Sequence, residues 1–150
     1  MTTRPPSAAE PVPILQRRFL RACRSAARRR KMADSLGTRL TGRDLLVRTL
    51  VARRVLDRAL GPDERMVGVM LPPTAGAAIV NAALALSGRV AVNLNYTSTQ
   101  PILDVCIERA HLRHVISSPQ FLSRVNLAVG DRLLDAGGLR TQATAVDKAV

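Results

Sequence analysis

Hydrophobic positions along the chain follow two alternating rhythms. Between residues 14 and 30, Ile14, Leu15, Phe19, Ala22, Cys23 and Ala26 recur at steps of three and four, which predicts a helix with a narrow apolar stripe. Residues 31–34 and 38–40 fit short extended runs around the turn residues Ser35-Leu36-Gly37. Thr41 with Asp44 three positions on has the form of a capping box and opens a helix to about Leu60. Its buried face is Leu45, Thr49, Ala52, Leu56 and Ala59, with Arg54, Asp57 and Arg58 opposite, and Gly61-Pro62 ends it.

The run Met66–Leu71 is apolar throughout and bounded by turn signals, the mark of a strand buried on both faces. After Pro72-Pro73, Thr74 caps an Ala-rich helix to Ser87, with Gly88 as its exit. Val90–Leu94 predicts a second strand. A helix opened by Thr97 or Ser98 follows, with Ile102, Leu103, Cys106 and Ile107 inward and Pro101 tolerated in its first turn. His114–Ser117 predicts a third strand and Pro119–Val125 a short helix. Such alternation with short connections predicts an α/β fold, a partial Rossmann-like parallel sheet with flanking helices and right-handed crossovers. After Val125 the apolar pairs give no clear element, so residues 32–150 read as an incomplete subdomain whose end resembles a cut. Residues 1–13, with Pro5, Pro6, Pro11 and Pro13, read as a disordered leader, and 14–31 as a basic helix or linker.

Composition adds two points. Aromatics are nearly absent (Phe19, Tyr96 and Phe121), so the core must be built of Val, Leu, Ile and Ala. The net charge of +12 is concentrated: residues 1–31 hold nine of the 23 Lys and Arg against the single acid Glu10. The basicity belongs to a segment, not to the domain. Within it Arg17, Arg21, Arg24, Arg28 and Lys31 keep a helical rhythm of their own. Three readings stay open: a peripheral membrane contact, a solvated connector, and a nucleic-acid contact, the last disfavoured by the lack of stacking aromatics. Cys23 and Cys106 lie far apart and form no ligand spacing or disulfide framework, no apolar run nears the ~20 residues of a membrane span, and no signal-peptide pattern opens the chain. The expected place is therefore cytoplasmic, with peripheral attachment to the inner membrane face as an option.

Chemistry is sparse. Neither GxxxxGK[ST] nor GxGxxG occurs, and Gly137-Gly138 precedes no Lys. His111 and His114 form an HxxH pair with Glu108 as the only nearby ligand type, and polar residues at a helix-to-strand junction explain them better than a metal site. No nucleophile elbow or Ser-His-Asp order is present, so no catalytic residue is assigned. Asp34, Asp44 and Asp63 sit at turns or caps.

Several strings resemble the amino-terminal part of the adenylate-forming (AMP-binding) acyl ligases. Asp34-Ser35-Leu36-Gly37, Leu40-Thr41 and Leu45-Leu46 are similar to the family's opening hairpin and helix, and Val67–Pro72 to its first buried strand. Ala82–Leu86 followed by Gly88–Thr97 resembles the next helix, strand and loop. The Arg89–Thr97 string looks most like the 2-acylglycerophosphoethanolamine acyltransferase/acyl-carrier-protein synthetase type, as does the Cys23 and Arg run before it. The resemblance implies an intact enzyme that uses ATP and Mg²⁺ to convert a fatty acid to an acyl-adenylate, then passes it to a thiol carrier or lysophospholipid. It places Asn93, Asn95, Tyr96 and Thr97 in a loop on the substrate side. The family's Ser/Thr/Gly-rich phosphate loop ending in Pro-Lys-Gly has no counterpart, so the expectation is a fragment inactive alone that binds neither ATP nor Mg²⁺ by itself. The alternative is a basic α/β adaptor acting through residues 14–31.

Overall fold

The computed structural model describes residues 14–141; the leader read at 1–13 and residues 142–150 lie outside the described residues. The first helix, α1 (Leu15–Ser25), ends at Ser25, not at residue 30. Past Ser25 the helix gives way to turns, the Ala27 N–H donating to the Arg24 carbonyl and the Arg29 N–H to that of Ala26, and a second helix bonds to the same segment. The Gly42 N–H donates to the Ala26 and Arg29 carbonyls, and the Arg43 N–H to that of Ala27. The chain turns instead into β1 (Arg30–Ala33), which pairs antiparallel with β2 (Arg39–Thr41). Arg28 and Lys31 therefore lie beyond the helix that carries Arg17, Arg21 and Arg24.

Helix α2 (Gly42–Ala59) starts at the expected capping box: Thr41 Oγ1 accepts the Asp44 N–H, and the Asp44 carboxylate accepts the Thr41 N–H. Leu45, Thr49 and Leu56 are buried as expected, joined by Val55. Thr49 sits in the core because its hydroxyl donates to the Leu45 carbonyl at 2.7 Å, leaving no polar atom unpaired.

Then come β3 (Met66–Val69), α3 (Ala75–Leu86), β4 (Val90–Asn93), α4 (Gln100–Arg109), β5 (Val115–Ser117) and α5 (Pro119–Val125), in the order the hydrophobic pattern predicts. Two details of α4 differ. Thr97 and Ser98 do not open it, because both fold back onto Asn95, and Thr99 takes the N-cap position. Ile102, expected inward, is 55 % exposed, and Cys106 is exposed too. Only the Leu103–Ile107 ridge meets the core, and positions 102 and 106 sit about 100° round the axis from it.

The weak tail contains a further unit: a single 3-10 turn (Gly130–Arg132), β6 (Leu133–Asp135) and α6 (Ala136–Thr141). Three residues are too short to announce a strand; β6 exists through its pairing of Val115 with Leu133, Ile116 with Leu134 and Ser117 with Asp135. The sheet runs β4-β3-β5-β6, every pairing parallel. On one face Leu56, Leu60, Ala83, Leu84 and Leu139 cover Val67, Val69 and Ile116. On the other, Leu103, Ile107, Phe121 and Leu122 cover Met70 and Val115. Helix α1 is docked on this body: Cys23, Leu40, Leu45 and Ala75 form a third cluster with Phe19 and Ile79 at its edge. Gln16 Nε2 adds a hydrogen bond to the Ala85 carbonyl at 3.0 Å.

Candidate functional site

The four parallel strands bring their carboxyl ends to one rim. There β3 leads into α3 on one face of the sheet, while its neighbour β5 leads into α5 on the other. The gap between them is the topological switch point, where open α/β sheets usually place ligands. Here it is closed at its base: Ser117 Oγ, fully buried, donates to the Met70 carbonyl at 2.6 Å.

The end of β4 and the loop after it lie on the same rim and carry all four expected substrate-side residues. Asn93 exchanges amide hydrogen bonds with Asn81 of α3, at 2.8 and 3.1 Å. Asn95 Oδ1 accepts from the Thr97 N–H and from Thr97 Oγ1, so both side chains are spent on the turn. Tyr96 stacks edge-on against Phe121, ring centres 5.5 Å apart, and is half-buried over the α4–α5 cluster. Among the described residues no hydrogen bond engages its hydroxyl.

A nucleotide's phosphates would look for the exposed N–H groups of helix N-termini. At this rim the protein supplies its own acceptors to α3, α5 and α6, while Thr99 at the start of α4 makes no side-chain capping bond. The Ala75 N–H of α3 donates to Asp34 Oδ2 at 3.0 Å, so Asp34, and not the Thr74 hydroxyl, caps that helix. The Phe121 N–H of α5 donates to Ser118 Oγ at 3.2 Å, and the Gly137 and Gly138 N–H groups of α6 to the Asp135 carboxylate, each at 3.0 Å. The Gly137-Gly138 pair is thus a capped helix start. Among the described residues no trio of His, Cys, Asp or Glu converges to hold Mg²⁺.

Asp34 ties the β1–β2 turn to α3, with Oδ1 accepting from Leu36 and Thr38 and Oδ2 from Ala75. The Ala75 N–H above all holds its pKa below the ordinary carboxylate value; burial opposes this, and the Thr38 and Leu36 bonds add to it. Asp44 and Asp63 are lowered as well, by Thr41 and by Arg113 respectively. A depressed carboxylate stabilises the fold above its unfolded pKa of about 3.9 and loses that contribution as pH falls through the folded value. Thermal melts from about pH 6 to about pH 3 should therefore show a progressive loss of stability. The loss should be shallower in Asp34→Asn, whose side chain carries no charge to lose; an unchanged slope would separate Asp34 from the effect.

The two histidines part company. His111 ends α4 in a left-handed turn, φ 48°, and is exposed. His114, at the opposite end of the sheet from the rim, pairs with Glu64, a residue that nothing in the sequence singled out. Glu64 is 4 % exposed, and its carboxylate accepts from His114 Nδ1 at 2.9 Å and from the His114 backbone N–H at 3.1 Å. This pair locks the loop before β3 to the start of β5 and takes no part in the rim. Cys23 and Cys106 are both free thiols, and burial pushes the Cys23 thiol up, with Lys31 opposing.

No family model matches the sequence. Solved structures do match the fold. The N-terminal subdomain of Klebsiella oxytoca NpsA, in complex with 3-hydroxybenzoyl-AMSN, superposes with a TM-score of 0.76 at 18% identity over 87% of this chain and 32% of that one. An artificially fused adenylation–PCP di-domain, NpsA-ThdA from the same organism, gives 0.73 at 19% identity over 86% of this chain and 24% of that one. The nonribosomal peptide synthetase FmoA3, in its α-methyl-L-serine-AMP bound form, gives 0.74 at 22% identity over 91% and 16%. The chain thus spans about a third of the length of the NpsA subdomain it matches. The parallel sheet with its flanking helices has the fold of the amino-terminal part of an adenylation domain.

Proposed function

We propose that this chain is the amino-terminal scaffold of an acyl-activating ligase, which joins a carboxylic acid to ATP as an acyl-adenylate and passes the acyl group to a thiol carrier. The observation that carries this reading is the superposition on an adenylation subdomain bound to an acyl-AMSN ligand. The self-capped starts of α3, α5 and α6 support a division of labour: phosphate contacts and Mg²⁺ come from residues outside this chain, and this part contributes the sheet and the Asn93–Thr97 segment. Within that segment Tyr96 is the residue we assign to the acyl side, since Asn93, Asn95 and Thr97 are engaged with protein partners.

The finer reading is a fatty acid as the acyl donor, supported by the resemblance of Arg89–Thr97 to the acyl-carrier-protein synthetase type. The solved relatives were captured with benzoyl, anthranilyl and methylserine ligands, so the acid must be read by assay.

ATP–pyrophosphate exchange tests the proposal. The 150-residue chain alone should stay at background. A polypeptide extended along its own reading frame into a Gly-rich loop with Pro-Lys-Gly should exchange, with fatty acids ahead of aryl and amino acids. Exchange by the chain alone would refute the scaffold reading. An unrelated sequence beyond Val150 would refute the ligase reading, and a preference for aryl acids the fatty-acid one. Tyr96→Phe should raise the KM for the acid in the extended enzyme and leave ATP affinity unchanged.

A further inference from the structure

We infer that α1 and the turn after it form a binding surface for an anionic lipid bilayer, independently of the ligase reading. The way α1 docks creates this surface. Its Gln16, Phe19, Cys23 and Ala26 side faces α2 and α3, which turns Arg17, Arg21, Arg24 and Ser25 outward on the opposite side. Arg18, Arg28, Arg29, Arg30 and Lys31 are exposed as well. Between residues 11 and 33 the sequence contains no Asp or Glu. Among the described residues none of these cations is engaged in an ion pair. So many like charges along so short a stretch repel one another, and an anionic surface relieves that repulsion.

The apolar residues decide which anionic surface. Ile14 and Leu15, 56 % and 69 % exposed, stand at the start of α1, and Leu20 lies among Arg17, Arg21 and Arg24 in a shallow concavity. Arginines at headgroup level with aliphatic side chains between them are the pattern of a helix lying in the membrane interface. A single-stranded nucleic acid would require stacking platforms. The three aromatics are elsewhere: Phe19 against the third cluster, Tyr96 and Phe121 against each other. No helix among the described residues is long and apolar enough to cross a membrane, so the contact is peripheral.

Flotation of the full chain with vesicles tests this, since aggregated protein does not float. Wild type should float with phosphatidylcholine vesicles containing phosphatidylglycerol and stay down with phosphatidylcholine alone. At about fivefold per basic residue, the triple variant Arg17→Gln, Arg21→Gln, Arg24→Gln should bind about a hundredfold more weakly. The matched triple Arg65→Gln, Arg109→Gln, Arg124→Gln removes the same charge from exposed sites elsewhere and should retain binding. Leu15→Ser should make the remaining binding more salt-sensitive. Equal losses in both triples, flotation that ignores phosphatidylglycerol, or no flotation of wild type would overturn the inference. So would tighter binding of a single-stranded oligonucleotide that the α1 triple abolishes.

Discussion

Gly42→Ala should unfold this protein about 10 °C below wild type, a loss of roughly 2–3 kcal/mol from overpacking. A Cβ at position 42 would lie 2.6 Å from the Ala26 carbonyl oxygen and closer still to that of Cys23. Both obstacles are backbone, so no rotamer change relieves them. The same residue donates its N–H to the Ala26 and Arg29 carbonyls, which fastens the end of α1 to the start of α2. The remaining relief is to lift α1 away, which uncovers Cys23, Leu40, Leu45 and Ala75. Gly76→Ala is the control, because there the added Cβ meets nothing nearer than Thr74 Oγ1 at 3.5 Å. At this compatible backbone position in the first turn of α3 that change should be neutral or stabilise by up to about 1 kcal/mol. Thermal melts of the two variants should move in opposite directions or at least differ widely. Thiol labelling gives a second readout: Cys106 reacts in every variant, and Cys23 should become reactive only in Gly42→Ala. A Gly42→Ala protein that melts with wild type and keeps Cys23 protected would refute the close docking.

His114→Ala should cost roughly 2–3 kcal/mol in urea unfolding. Removing one member of a buried pair costs about 3–5 kcal/mol, and the lower figure applies because the His114 side chain is 36 % exposed. The penalty comes from Glu64, whose carboxylate is left buried with the backbone N–H of residue 114 as its remaining partner from this pair. Replacing both, Glu64→Leu with His114→Leu, should recover much of the loss, since an apolar pair leaves no uncompensated charge. A double-mutant cycle with no coupling between the two positions would show that the pair does not hold the loop.

Local chemistry made part of this structure legible. The 3–4 rhythm of Leu45, Thr49 and Leu56, the Thr41/Asp44 box and the continuous run at Met66 each point to their element without any long-range partner. The candidate loop was legible in the same way, since Asn95 and Thr97 make their turn among themselves. The strand at Leu133–Asp135 was not, because three residues carry no period and the ladder to β5 alone defines it. Nor were the functions of Asp34 and Glu64. An Asp before Ser-Leu-Gly announces a turn, but its second oxygen caps a helix 41 positions away. Glu64 looks like a surface acid until β5 brings His114 over it from 50 positions on.

The basic segment divides between the two sources. Its charge and amphipathic stripe are properties of consecutive residues, and the sequence alone determined them. Which arginines α1 turns outward was decided only in the fold, where its Gln16, Phe19 and Cys23 side packs inward and Gly42 and Arg43 bond to the carbonyls of Ala26, Ala27 and Arg29. The same holds at the rim. Ser118 and Asp135 cap helices that start beside them in the chain, but the Asp34 cap on α3 and the closure of the β3–β5 gap by Ser117 and Met70 depend on segments that meet only in the fold. Buried backbone groups must pair with some partner, and for distant segments packing decides which.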